Sequence, residues 1–168
     1  MKFWGHPNSY TWSSMPNSIG SSETARLLSD IGEDVDAVYS CTLTTAYLSD
    51  ARNALVNDYG YSSSAIYQTY NSTTVEDQID NGWPVALRGE NSSGVGHAWV
   101  CDGYLIEKHI TIHNPGTIYE YETYTYTHYL GMNWGWYGSS NGWYISTVFS
   151  VGSYNLNYGK SMLINIHN

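Results

Sequence analysis

The stretch Gly94-Val95-Gly96-His97-Ala98-Trp99-Val100-Cys101-Asp102-Gly103-Tyr104 brings an imidazole into a hydrophobic strand directly after a glycine pair. A sheet would hold that backbone still, and the small neighbours leave room for another chain to approach. Such support suits a general base, which must stay within hydrogen-bond reach of the group it deprotonates. The same residues also describe a strand-edge histidine with a purely structural hydrogen bond. A second stretch, Asn133-Trp134-Gly135-Trp136-Tyr137-Gly138, is followed by Asn141-Gly142-Trp143-Tyr144. A basic imidazole needs an amide or backbone carbonyl against its other nitrogen, with an aromatic ring shielding that bond from water. Asn133 and Trp134 are of the right types, although a tryptophan-rich hairpin that merely fills a core would read alike.

The chain has only two cysteines, Cys41 and Cys101. They can form neither a disulfide framework nor a four-ligand zinc site by themselves, which leaves one bridge, a reactive thiol, or two inert thiols. Alternation along the strand sends residues 97, 99 and 101 to one side unless a bulge intervenes. Cys101 then lies roughly 13 Å from His97, too far for a catalytic pair, and points into the core. His109, His113 and His128, with Glu107, Glu120 and Glu122, lack tight metal-ligand spacing and read as a solvated strand surface, so no metal and no cofactor is expected. Asn71-Ser72-Thr73 and Asn91-Ser92-Ser93 fit the glycosylation sequon, and no glycine-rich phosphate cradle is present.

The elements that must position these residues fall into a helical part and a sheet part. Residues 1–20 carry no periodicity and read as an arm or loop over the surface. In residues 21–83, Ser22 caps a short helix to Ile31 with Leu27, Leu28 and Ile31 on one face and Gly32 as terminator. A second helix from Thr45 to Asp58 repeats Leu48, Ala51 and Leu55 and should lay that stripe on a sheet. A third opens at Thr74-Val75-Glu76-Asp77 and ends at Gly82. Residues 84–168 read as strands at Val85–Arg88, Ala98–Gly103, His109–Asn114, Tyr119–Thr127, Leu130–Trp134, Trp143–Val148 and Ser161–Ile166. The alternation of aromatic and polar residues over 119–127 predicts a strand with one covered face. With no repeat and no linker, the expectation is one α+β domain over 1–168, short helices followed by a twisted antiparallel sheet or half-barrel.

Composition narrows the partners. The 168 residues hold 17 Tyr, 7 Trp and 16 Gly, with a net charge of −9. That charge repels nucleic acid and anionic membrane surfaces. No apolar run nears the roughly 20 residues needed to cross a bilayer, and Met1-Lys2-Phe3-Trp4-Gly5-His6-Pro7 lacks the apolar region of a secretory signal.

Taken together, GHAWVCDGY, NWGWYG and NGWY resemble the streptopain-like (C10) peptidases, a bacterial family of secreted, papain-like cysteine proteases. The resemblance extends to Tyr10-Thr11-Trp12, the helix at 24–32, Val35–Tyr39, Ala54–Tyr61, Gln78-Ile79, Pro84-Val85 and Tyr154–Ile166. It implies a papain-like cysteine peptidase fold, present in part. His97 would be the catalytic histidine, Trp134 with Asn133 the group that orients and shields it, and Trp136 a lining of the cleft. Arg88, Gly89, Gly96 and Thr45 would border the substrate, a peptide or protein, and the protein would be secreted. The connection from about His109 to His128 looks like an inserted hairpin.

Three departures qualify the resemblance. The family's nucleophilic cysteine precedes the Tyr-x-Trp segment, and this chain begins too late to include it. Arg88 stands where the family has a polar amide near the oxyanion site, and its bulk and charge would reshape that pocket. The family's glycine-rich loop is replaced by Ser40-Cys41-Thr42-Leu43-Thr44-Thr45. Cys41 ahead of a helix could be a relocated nucleophile, since a helix N-terminus stabilises a thiolate. Three readings follow: a cysteine endopeptidase portion whose thiol comes from a missing amino-terminal segment or a second chain; a pseudopeptidase or peptide-binding domain; and a surface interaction domain built on the tyrosine-rich strands. The isolated chain is expected not to hydrolyse peptides.

Overall fold

The computed structural model describes residues 1–41 and 43–168, apart from the side chain of Phe3. Thr42, part of the glycine-free loop, lies outside the described residues. The chain divides into two compact units, residues 1–68 with 165–168, and residues 69–164.

Unit one holds 3-10 turns at Lys2–Trp4 and Trp12–Ser14, helix α1 (Ser22–Asp34), strands β1 (Val38–Tyr39) and β2 (Thr44–Thr45), helix α2 (Leu48–Asn57) and most of β3 (Ile66–Thr69). Ser21, one residue earlier than expected, caps α1 by accepting the Thr24 N–H at 3.1 Å. Gly32 does not end that helix. It lies buried inside it because a Cβ there would overlap the Tyr39 hydroxyl. The expected apolar face is also trimmed: Leu27 and Ile31 pack inward, but Leu28 is exposed. The first twenty residues are no surface arm, since Tyr10 and Met15 are buried with Val35, Ala54, Tyr59 and Tyr61. Two buried phenols tie this core to α1, Tyr10 donating to Asp30 at 2.7 Å and Tyr59 to Asp34 at 2.6 Å. The stripe of α2 packs into this cluster, through Ala51, Ala54 and Leu55, rather than onto a sheet.

Unit two begins with helix α3 (Ser72–Asp80), whose N-cap Asn71 accepts the Thr74 N–H at 2.9 Å. Strands β4 (Val85–Glu90), β5 (Gly96–His113), β6 (Tyr121–Asn133), β7 (Gly142–Ile145), β8 (Ser150–Val151), β9 (Tyr154–Asn155) and β10 (Tyr158–Ile164) follow. The antiparallel order is β10-β4-β5-β6-β7, with β8 and β9 a separate small pair. The breaks expected at residues 104–108 and 128–129 do not occur, and β5 and β6 are each one long strand. β5 and β6 pair continuously from Val100↔Asn133 to His113↔Tyr121. A bulge between Cys101 and Gly103 inserts Asp102 and shifts the alternation by one residue. The core-facing set therefore passes from Trp99 and Cys101 to Tyr104, opposite the fully buried Leu130.

Val75, Val85, Leu87, Trp99, Cys101, Leu130, Met132, Trp134, Phe149 and Met162 form the core of unit two. α3 lies over its sheet, where Tyr104 donates to Asp80 at 2.8 Å and His128 meets Glu76 at 2.7 Å. Residues 121–126 are exposed on both faces, so the expected covered face over 119–127 is absent. No helix among the described residues is long and apolar enough to cross a membrane.

Candidate active site

His97 stands second on β5, directly opposite Gly89 on β4, and is half-buried. Residues facing each other across antiparallel strands share a face, so His97 shares the core face with Gly89, Leu87, Trp99 and Cys101. Its Nε2 lies 2.8 Å from the backbone carbonyl oxygen of Trp134. A carbonyl only accepts, so Nε2 carries the proton and Nδ1 holds the free lone pair. Nδ1 meets no hydrogen-bond partner among the described residues. That is the tautomer a general base needs, one nitrogen tethered and the other available.

Aromatic rings enclose this imidazole. Trp136 lies 4.9 Å away by ring centroids, Trp99 6.1 Å and Trp134 6.3 Å. Trp99 and Trp134 touch at 4.5 Å, Tyr144 meets the Trp134 ring edge-on at 5.3 Å, and Tyr154 flanks Trp136 at 5.4 Å. The layer holds the ring plane by contact and keeps water from the Nε2–H···O bond, which strengthens as the local dielectric falls. Trp134 is fully buried, while its indole Nε1 meets no acceptor among the described residues.

The group that meets the imidazole is the Trp134 main chain, not the Asn133 side chain. Asn133 does not reach the ring: its Oδ1 accepts the Gly135 N–H at 3.1 Å, which is the far end of the peptide unit whose carbonyl holds His97. Gly135 sits at φ +78°, so the turn that aims this carbonyl favours glycine. Asn141, which opens the Asn-Gly-Trp-Tyr motif and which sequence reasoning gives no role, accepts the Trp134 N–H through its Oδ1 at 3.1 Å. The signal for it was an asparagine at the end of a glycine- and serine-rich turn, where side chains replace backbone partners.

The residues expected to border the substrate are placed differently. Arg88 is one step from Gly89 along β4 and so projects from the opposite face to His97, where Glu90 binds its guanidinium at 2.8 Å. Its charge therefore does not reshape a pocket beside the imidazole. Gly89 does face His97's side but is buried, and the Leu156 carbonyl sits where its Cβ would be. Gly96, paired with Glu90, lies on the Arg88 side, where a Cβ would meet the guanidinium at 3.2 Å. Trp136 remains against the imidazole. Thr45 is exposed on β2 in unit one.

Both cysteines are free. Cys101 is fully buried, and burial pushes its thiol pKa up to about 12, the opposite of an activated thiolate. Cys41 is exposed in the turn between β1 and β2, and α2 begins only at Leu48, so the thiol is outside the first turn of that helix. Among the described residues no three His, Cys, Asp or Glu side chains gather as a metal-binding group.

Comparison with known proteins follows the same lines. The structure superimposes on that of active wild-type interpain A, a cysteine protease of Prevotella intermedia, with a TM-score of 0.70 at 22% sequence identity. The match covers 95% of this chain and 65% of that one, so this chain spans less than two thirds of its neighbour's length. The shared architecture is the α+β, papain-like fold expected from the sequence motifs. No curated protein matches the sequence. The Peptidase C10 family matches over residues 3–144, which takes in α1, the His97 strand, the Asn133-Trp134 turn and most of β7, and the chain belongs to that family.

Proposed function

We propose that the chain forms the histidine side of a cysteine-peptidase cleft that takes an extended peptide, with His97 as general base for a thiol that neither of its own cysteines supplies. The observation that carries this reading is the 2.8 Å tether from His97 Nε2 to the Trp134 carbonyl, which leaves Nδ1 free to accept a proton. Membership of the Peptidase C10 family supports the reaction class. Attack on a peptide carbonyl would need His97 to take a thiol proton and later return it to the leaving amine, while the aromatic layer keeps the imidazole aligned. Cys101 is unsuited to be that thiol because it is buried and strongly protonated. Cys41 is exposed in a hairpin turn and has no helix terminus to activate it. On this reading the isolated chain is catalytically silent and the family's secreted habit carries over to it.

The test is a thiol-reactive peptidyl probe applied to the folded chain, together with a peptide-hydrolysis assay. No hydrolysis is expected, and whatever labelling Cys41 shows should be the same in His97→Ala. Labelling of Cys41 that vanishes in His97→Ala would make Cys41 the nucleophile and overturn the proposal.

A further inference from the structure

Trp134 contributes to the site through its backbone as much as through its ring. The β6–β7 ladder ends at the pair Met132↔Gly142 and β6 itself ends at Asn133, so the Trp134 N–H lies past the strand pairing, without a ladder partner. The Asn141 side chain takes that partner's place, its Oδ1 accepting the Trp134 N–H at 3.1 Å. On the other side of the Trp134 Cα, Asn133 Oδ1 accepts the Gly135 N–H at 3.1 Å. Two anchored N–H groups either side of one Cα hold its φ and ψ, and so aim the carbonyl between them. That carbonyl is the acceptor for His97 Nε2–H at 2.8 Å.

We propose that Asn141 is a positioning residue for His97: by holding the Trp134 N–H it aims the carbonyl that selects the imidazole tautomer. The assignment rests on the reading of His97 as a base and concerns how that base is set. Asn141 is itself well placed to do this. Its backbone N–H donates to the Gly138 carbonyl at 3.3 Å, and the neighbouring Ser140 carbonyl accepts the Tyr144 hydroxyl at 2.5 Å, beside the Trp134 ring. The clamp is thus built from one turn whose two ends hold the peptide N–H groups on either side of the Trp134 Cα. Because the donor is an N–H, only the oxygen of the Asn141 amide can face it, which fixes the orientation of that side chain.

The experiment is nitrogen-15 NMR of the labelled full chain at a pH where the imidazole is neutral, read at the His97 ring and at the Trp134 amide. In the unmodified chain His97 should show a protonated Nε2 and an unprotonated Nδ1, and the Trp134 amide should be protected from solvent exchange. In Asn141→Ala the two ring signals should move toward each other as the tautomers mix, and Trp134 exchange should accelerate roughly tenfold, the loss of one ordinary hydrogen bond. Asn141→Asp, whose carboxylate accepts the same N–H, should restore both. A folded Asn141→Ala with an unchanged ring pattern overturns the positioning role. An unprotected Trp134 amide in the unmodified chain overturns it without any variant, so a failure of Asn141→Ala to fold leaves the question decidable. A protonated Nδ1 in the unmodified chain, with Trp134 still protected, would instead overturn the reading of His97 as the base.

Discussion

The two ends of the β5–β6 pair share strands, register and residue types but differ in what covers them. At the His97 end Trp99, Cys101, Leu130 and Met132 are buried beneath Phe149, Leu156 and the Trp134 ring. Toward the tip Ile110, Ile112, Tyr124 and Tyr126 are 53, 52, 47 and 56% exposed, although they sit in unbroken cross-strand pairs. Among the described residues the side-chain contacts at the tip are local: Lys108 lies 3.8 Å over the Tyr124 ring, Tyr124 donates to Glu122, and His113 stacks on Tyr121 at 4.5 Å. Backbone pairing makes a ribbon anywhere along these strands. It becomes a rigid mount for an imidazole only where a second layer excludes water, and this is why the proposed base sits at one end.

That contrast can be broken most forcefully at the buried end. Trp134→Ala should cost about 3–5 kcal/mol of stability, because a fully buried ring is removed from the core, whereas Tyr124→Ala at the tip should cost under about 1 kcal/mol. Urea denaturation of the two variants measures both, and equal losses would mean that the tip is as structural as the site. Chemical access gives a second comparison. Cys101 should react with a small alkylating reagent at least roughly a hundredfold more slowly than a thiol introduced by Ile110→Cys, since burial both hides its sulfur and keeps it protonated.

Gly89→Ala should destabilise by about 1–3 kcal/mol, because the added methyl meets the Leu156 backbone, which cannot step aside as a flexible side chain could. Thermal unfolding would register it, and the His97 ring signals would report whether the strain reaches the imidazole. The smallest effect is expected from shortening the ribbon. Glu107 and Thr127 face each other across β5 and β6, so an Asn-Gly turn joining them closes the hairpin without the tip. The His97 and Trp134 resonances should hardly move; a large shift would show that the tip supports the site after all.

Much of the site was legible because it is local. The glycine pair before His97, the alternation through Trp99 and Cys101, and the Asn-Trp-Gly run are short patterns whose geometry follows from strand pleat and turn chemistry. The cap of α1 was readable within one residue for the same reason, whereas α3 is capped at Asn71, three residues ahead of the expected opening at Thr74. The C10 motifs also pointed to the fold before any coordinates.

What escaped the sequence was non-local. That Arg88 points away from His97 follows from Gly89, not Arg88, being its cross-strand partner, and pairing register joins residues whose neighbours in sequence do not reveal it. Gly32 looked like a helix terminator because glycine often is one; its role comes from Tyr39 packing against it. Tyr10 and Met15 looked like parts of a loose arm, and burial came from α1 and α2 gathering around them.

The sequence alone therefore determined which residue types could hold a base and the local backbone shape around them, since pleat, cap and turn act over a few residues. Only the tertiary structure decided that the Trp134 carbonyl, rather than the Asn133 amide, holds His97, and which glycines are covered. Those outcomes depend on segments far apart in the chain meeting in one register, where a shift of a single residue turns every side chain to the other face.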